Sequence, residues 1–227
     1  MRIAFKEWAI VADALGSGAQ ILILRKGGIK EGRSGFQVEH SLFLLFPTQF
    51  HQQRESVIEP AQARFDQIAP SFPHPDRLRI EHVCEVATWQ RLDSLAAAER
   101  LRGQHIWRDE VIRQRFDWGR DKSIHALAVR VRRLPQAIEL PMLPGYGGCK
   151  SWIELEEDIS IQGAEPILSD DAFTLKLNRF QEALRAPCVE PSMENAKAAS
   201  LGAQGQVVGS SERRWWVGRD SNPGPTA

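Results

Sequence analysis

The stretch AIVADALGSGAQILILRKGG, residues 9–28, governs how the chain is read. Ile21, Leu22, Ile23 and Leu24 leave no polar face, the pattern of a central strand covered on both sides. Residues 9–15 form a second apolar segment. Gly16-Ser17-Gly18 between the two supplies the positive φ of a tight connection, so the pair reads as a β-hairpin. At its end Arg25, Lys26, Gly27 and Gly28 bring a guanidinium fork, an ammonium and bare backbone N–H groups to one point, a set suited to phosphate. The opposing reading is a solvated strand end with a tight turn. No GxxxxGK[ST] pattern is present, and the chain after Gly28 does not read as a helix.

Beyond this stretch, FQVEHSLFLLF begins with strand alternation, becomes apolar on both faces by Phe43 and stops at Pro47. Residues 49–68 read as helix interrupted near Pro60, and APSFPHPD as a rigid surface crossing. Residues 80–87 read as strand, and DSLAAAERLRG as helix ending at Gly103. HIWRDEVIRQRFDWG puts Trp107, Val111, Ile112 and Phe116 at helical spacing. Arg108, Arg113 and Arg115 then fall on the opposite side, where they either line a groove or, the commoner case, form the helix's wet face. In SIHALAVRVRRL, His125, Leu127, Val129 and Val131 face one way and Arg130 and Arg132 the other. Ser169 caps a last helix with Asp170 and Asp171 in its first turn and a stripe of Phe173, Leu177, Phe180 and Leu184. Strands and helices mix without βαβ alternation. The expected fold class is therefore α+β: a single domain over 1–186 with a mixed, largely antiparallel sheet flanked by helices.

From Pro187 the composition shifts to Ala, Gly, Ser and Gln with no apolar period, so 187–227 is expected to be a disordered tail. Asp220-Ser221-Asn222-Pro223 can be encoded by GAT-TCG-AAC-CC, whose complement contains a transfer-RNA T-arm. The tail thus reads as a frame running into a tRNA gene on the opposite strand, and no function is drawn from it.

Lys plus Arg and Asp plus Glu both number 29, so no bulk field draws the chain to nucleic acid or membrane, and anion binding requires a local cluster. Cys84, Cys149 and Cys188 make neither a metal spacing nor an even disulfide framework, which favours a reducing cytoplasm. No apolar run approaches the roughly 20 residues that span a bilayer, and the N-terminus lacks a signal-peptide layout. The expected location is cytoplasmic, with no membrane partner. No motif identifies a cofactor, and no HExxH or paired-carboxylate spacing indicates a metal.

Two further stretches carry candidate chemistry. In LFPTQFHQQ, Pro47 ends a strand, Thr48 can cap the next segment, and His51 and Gln52 emerge beyond the sheet edge. His51 suits ligand binding or acid–base work, while His40, on the apolar face, reads as a core histidine. In GYGGCKSWIEL, flexible glycines lead to Cys149, Lys150 and Ser151, with Trp152 anchoring the next strand. Cys149 beside Lys150 has the setting of an activated thiol, against the commoner buried inert one. Lys150 serves as a second phosphate contact. The metal-nuclease signature of an acid followed by D/E-x-K is missing, because WIELEED has no following lysine. A Nudix box is missing too, although the strand running into LILRKGG resembles the start of Nudix-like sheets.

FKEWAIVADAL, ILILRKGGI, LFLLFPTQFHQ and YGGCKSWIEL, in this order and with HIW and RF between them, resemble the uncharacterised bacterial family called domain of unknown function 1802, over roughly residues 3–185. The motif positions carried over are Lys6, Glu7, Trp8, Arg25, Lys26, Gly27, Gly28, Pro47, Thr48, His51, Gln52, Cys149, Ser151 and Trp152, without catalytic roles. The resemblance implies an association with restriction–modification systems, because some members accompany a restriction-endonuclease-type domain. Three functions are therefore expected in competition. The first is an accessory that binds a phosphate ligand, DNA or a nucleotide, beside a restriction-type nuclease, through Arg25, Lys26, Gly27, Gly28, Thr48, His51, Gln52, Lys150 and Ser151. The second is a small hydrolase or transferase using His51 or Cys149. The third is a structural partner protein.

Overall fold

The computed structural model describes residues 1–26, 38–49, 52–119, 121–148 and 150–185. Strand β1 (Ile3–Trp8) runs directly into helix α1 (Ala9–Gly16), and β2 (Leu22–Arg25) follows. Next come β3 (Leu42–Thr48), α2 (Glu59–Ile68), β4 (Arg77–Leu92), α3 (Leu95–Glu99), α4 (Asp109–Asp117) and β5 (Ile124–Pro141). The short strands β6 (Trp152–Glu154) and β7 (Glu165–Pro166) precede α5 (Asp170–Arg185). The strands form one mixed sheet in the order β2-β5-β4-β3-β1-β6, with β7 paired to β5. Among the described pairs β1 and β3 run parallel and the others antiparallel, so the fold is α+β with a largely antiparallel sheet flanked by helices.

Residues 9–16 are helix, not the first arm of a hairpin. Alanine favours helix, and the absence of an apolar period reflects a helix buried almost all round rather than a strand covered on two faces. Asp13 is its partly exposed position, bonded through both carboxylate oxygens to Arg64. The expected turn is instead a helix end: Ser17 N–H donates to Asp13 O and Gly18, at φ 73°, donates to Leu15 O. Gly16 is fixed by packing, since a Cβ there would lie 2.4 Å from the His82 ring.

The strand 22–25 is buried as expected, but it ends the ladder rather than sitting at its centre. Its outward carbonyls are satisfied by side chains: Gln20 Nε2 donates to Leu22 O at 2.6 Å and Arg115 Nη1 to Leu24 O at 3.0 Å. Such bonds remove the open edge that would otherwise recruit another strand.

The long β4–β5 ladder is broken twice, between Ile80 and His82 and between Val86 and Thr88. The first break faces Pro135, which cannot donate to a ladder, and bulges of this kind bend and twist a sheet. The bending brings the end of β2 back to β1, although β5, β4 and β3 lie between them in the ladder: Arg25 Nη1 reaches Lys6 O at 3.5 Å.

Each face of the sheet carries its own core, which is why FLLF is apolar on both sides. Phe5, Phe43 and Leu45 join the cluster under the helices, while Ala4, Leu44 and Phe46 join a second one with Tyr146 and Ile153. In α5 Ser169 Oγ accepts from Ala172 N–H, and the expected stripe packs inward with Phe173 and Phe180 buried. Pro60 sits at the start of α2, where its missing N–H has no intrahelical partner to lose, so it opens that helix rather than interrupting it. His40 is half-buried with its ring edge-on to Trp152, a rim position and not a core one. Among the described residues no helix is long and apolar enough to cross a membrane.

Candidate functional site

Three of the expected site residues meet at the end of β1. Arg25 Nε donates to Ser151 Oγ at 2.9 Å, and its guanidinium lies over the Phe5 ring. Ser151 is fully buried and its carbonyl accepts from Lys6 N–H at 2.9 Å. Thr48 Oγ1 donates to Glu7 O at 3.1 Å from the neighbouring strand. These contacts converge on Lys6 and Glu7, two successive residues whose side chains leave opposite faces of β1. Lys6 Nζ turns to Gly148 O and the Phe46 ring, on the second core. Glu7 turns under the helices.

Glu7 is the centre of the arrangement. It is 1% exposed, its Oε1 accepts from Trp8 N–H at 2.8 Å, and its Oε2 has no hydrogen-bond partner among the described residues. The Trp8 N–H opens α1, so the carboxylate sits at the favourable end of a helix dipole. Burial nevertheless lifts its pKa above the ordinary carboxyl value, against the opposing pull of Arg25, Arg115 and the Trp8 bond. An unmatched buried oxygen of this kind costs about 1–3 kcal/mol.

Arg115 is the second cation, and it does not belong to a wet face. Its guanidinium lies between the indoles of Trp8 and Trp107, 4.7 and 5.0 Å from their ring centroids. Burial brings its pKa down to about 10, with Glu7 opposing and Arg25 adding to the shift. The residue is half-buried, with its guanidinium held against the two rings. Arg108 and Arg113, by contrast, pair at the exposed surface with Glu110 and Glu99. Trp107 Nε1 and His105 Nδ1, both beside this stack, are buried without partners among the described residues. Burial and the Arg115 charge hold the His105 imidazole neutral, with its pKa at about 4.

Lys26 leaves the site. Its ammonium donates to Phe116 O and Ser123 O at 3.2 and 3.0 Å and also to Asp121 O, tying the end of β2 to the end of α4. It is not a second arm beside Arg25, because successive strand side chains point to opposite faces. Gln52 is half-buried in the turn after β3, where its carbonyl accepts from Ser56 Oγ. The neighbouring Gln53 is the fully buried one, donating to Thr48 O and accepting from Ile10 N–H. Lys150 is exposed. Gly27, Gly28, His51 and Cys149 lie outside the described residues. Cys84 is fully buried, and burial pushes its thiol pKa up, which makes it inert.

Comparison with known proteins meets this geometry at one point. The family model described as Domain of unknown function (DUF1802) matches residues 4–179. The chain belongs to that family. The matched span holds Glu7, Arg25, Arg115 and Ser151, so the cluster lies inside the DUF1802 region. No curated protein and no solved structure matches the chain.

Sequence reasoning reaches Arg25, Thr48 and Ser151 but misses the roles of Glu7, Arg115, Trp107 and His105. One signal for Arg115 is present in the sequence. It lies three residues after the buried Ile112 and beside the buried Phe116, on the flank of the apolar stripe.

Proposed function

We propose that this protein binds a phosphate-bearing ligand, a nucleotide or DNA, at the Glu7–Arg25–Arg115–Ser151 cluster. The observation that carries the reading is a charge imbalance around a buried carboxyl group. Arg25 and Arg115 both act on the buried Glu7 carboxyl group without bonding to it, and their hydrogen bonds to described residues come from Nε and Nη1 of Arg25 and from Nη1 of Arg115. Guanidinium forks with open donors suit phosphate oxygens. Ser151 presets Arg25 by holding its Nε, and Lys150, exposed beside Ser151, adds a mobile charge. An accessory role beside a restriction-type nuclease is part of the same proposal, on the ground of the family resemblance. Arg25→Ala is expected to abolish the thermal shift produced by a nucleotide or DNA ligand and to flatten the salt dependence of binding. Lys26→Ala is expected to leave both unchanged. Equal binding by wild type and Arg25→Ala refutes the site.

A second reading, a hydrolase or transferase step through Cys149 or His51, draws support from their chain neighbours. Gly148, Ser151 and Thr48 all bond to Lys6, Arg25 or Glu7. Fast iodoacetamide labelling of Cys149 near neutral pH, abolished in His51→Ala, is the expected result of that reading. An unreactive Cys149 removes it.

A further inference from the structure

The sheet carries charge where its position does not call for it. β4 and β5 lie inside the ladder, and along β5 the residues Ala126, Ala128 and Leu134 are buried on either side of Arg130 and Arg132. The two arginines stand two residues apart, so their side chains leave the same face of the strand. Glu85 and Val83 lie opposite them on β4. On this face the surface opens into a cleft of about 440 Å³, a volume within the range of small-ligand sites. Its polar groups include Arg130, Arg132 and Glu85. Its apolar wall is Val83 and Leu42 from the strands, with Ile161 and Ala164 from the chain before β7. Leu42 is 38% exposed, so part of that wall is open to whatever enters.

We infer that this cleft is a second binding site, for a small organic acid with an apolar body. The charged side chains that line it are two guanidiniums and one carboxylate, a net positive set. Asp170, the partner of Arg130, is 88% exposed and does not line the cleft. Arg130 is already ordered: its guanidinium lies over the Phe173 ring, 5.0 Å from the centroid, and its Nη2 donates to Asp170. A ligand therefore meets little of the entropy cost of fixing that side chain. Arg132 is held only by Glu85, at 3.3 Å, with both side chains about half-exposed. A pair of that kind contributes little to stability, so a ligand carboxylate can take the place of Glu85. The carboxylate then accepts from Arg130 and Arg132, and the apolar body lies along Leu42 and Ile161. A bare anion such as phosphate would leave the apolar wall uncovered. The site shares no residue with the Arg25 cluster and does not depend on it.

The test is titration calorimetry on the full chain with 3-phenylpropionate, its uncharged amide, acetate, and an acetylated Ala-Ala-Phe peptide with a free carboxyl end. The phenylpropionate is expected to bind at least about tenfold more tightly than the amide, the ratio that one lost charge-assisted hydrogen bond produces. Arg132→Gln is expected to remove about the same factor. Leu42→Ser is expected to weaken phenylpropionate about fivefold, as lost apolar burial would, and to leave acetate unchanged. Arg25→Ala is expected to leave phenylpropionate binding as it is, whatever it does to a nucleotide. Equal binding of acid and amide, or binding of neither, overturns the inference and leaves the Arg25 site untouched. Loss of phenylpropionate binding in Arg25→Ala overturns it by moving the acid to that other site. Binding of the peptide without binding of the small acid overturns it in favour of a protein chain end. The comparison of acid with amide uses the unaltered protein, so it decides the matter even where a variant does not fold.

Discussion

Arg25 and Lys26 are adjacent cations at the end of one strand, and the fold puts them to different uses. Arg25 points to the face shared with Phe5, bonds a buried serine and stands near a buried carboxylate without bonding it. Lys26 points the other way and is spent on three backbone carbonyls around the end of α4. One side concentrates charge with donors left over, while the other uses its charge to close a helix end. Two neighbouring basic residues thus make a phosphate cradle only where the backbone turns them to one side. In an extended strand it does the opposite.

The contrast is tested most directly on the Arg25 side. Arg115→Ala is expected to cost about 3 kcal/mol in urea unfolding, because it empties the space between Trp8 and Trp107, frees Leu24 O and leaves Glu7 with one distant cation. A loss as small as that of an exposed arginine would show that the cluster does not hold β2 in place.

Acid probes the same side. Folded His105 binds its proton at about 4 against 6.5 for a free imidazole. The stability from burying it neutral is therefore complete above pH 6.5 and is lost as pH falls through 4, and His82 is shifted in the same direction by burial. The expected loss attached to His105 is about 3 kcal/mol over that window, and His105→Gln is expected to remove most of it in unfolding measured at pH 7, 5.5 and 4.5.

On the other side, Lys26→Met keeps the stem and removes the ammonium, leaving the carbonyls of Phe116, Asp121 and Ser123 to water. The expected cost is about 1 kcal/mol, with nucleotide affinity unchanged. A drop in affinity would return Lys26 to the ligand site. Smallest of all, Arg113→Ala breaks a surface pair with Glu99 and is expected to change stability by less than about 0.5 kcal/mol.

Legibility varies with the element. The alternation of β5 and the apolar stripe and serine cap of α5 are plain in the sequence, since each buries one face and keeps the period of its structure. The α1 segment reads as strand because burial on all sides erases the period that tells helix from strand. Of the site, Arg25 and Ser151 stand in separate conspicuous motifs, and their contact rests on the curl of a sheet that no local pattern records. Glu7 is visible as a residue in FKEW, but its burial is not.

Local propensity and side-chain period act within a few residues, and they are enough to set the α+β class, the apolar faces of the long strands and the capped last helix. Long-range packing decided that α1 is buried on nearly all sides, that Arg115 turns inward between two indoles, and that Arg25 crosses from β2 to Ser151 and β1 while Lys26 does not. Those outcomes depend on where a bent ladder brings distant backbone together, and on which buried polar groups must then find partners.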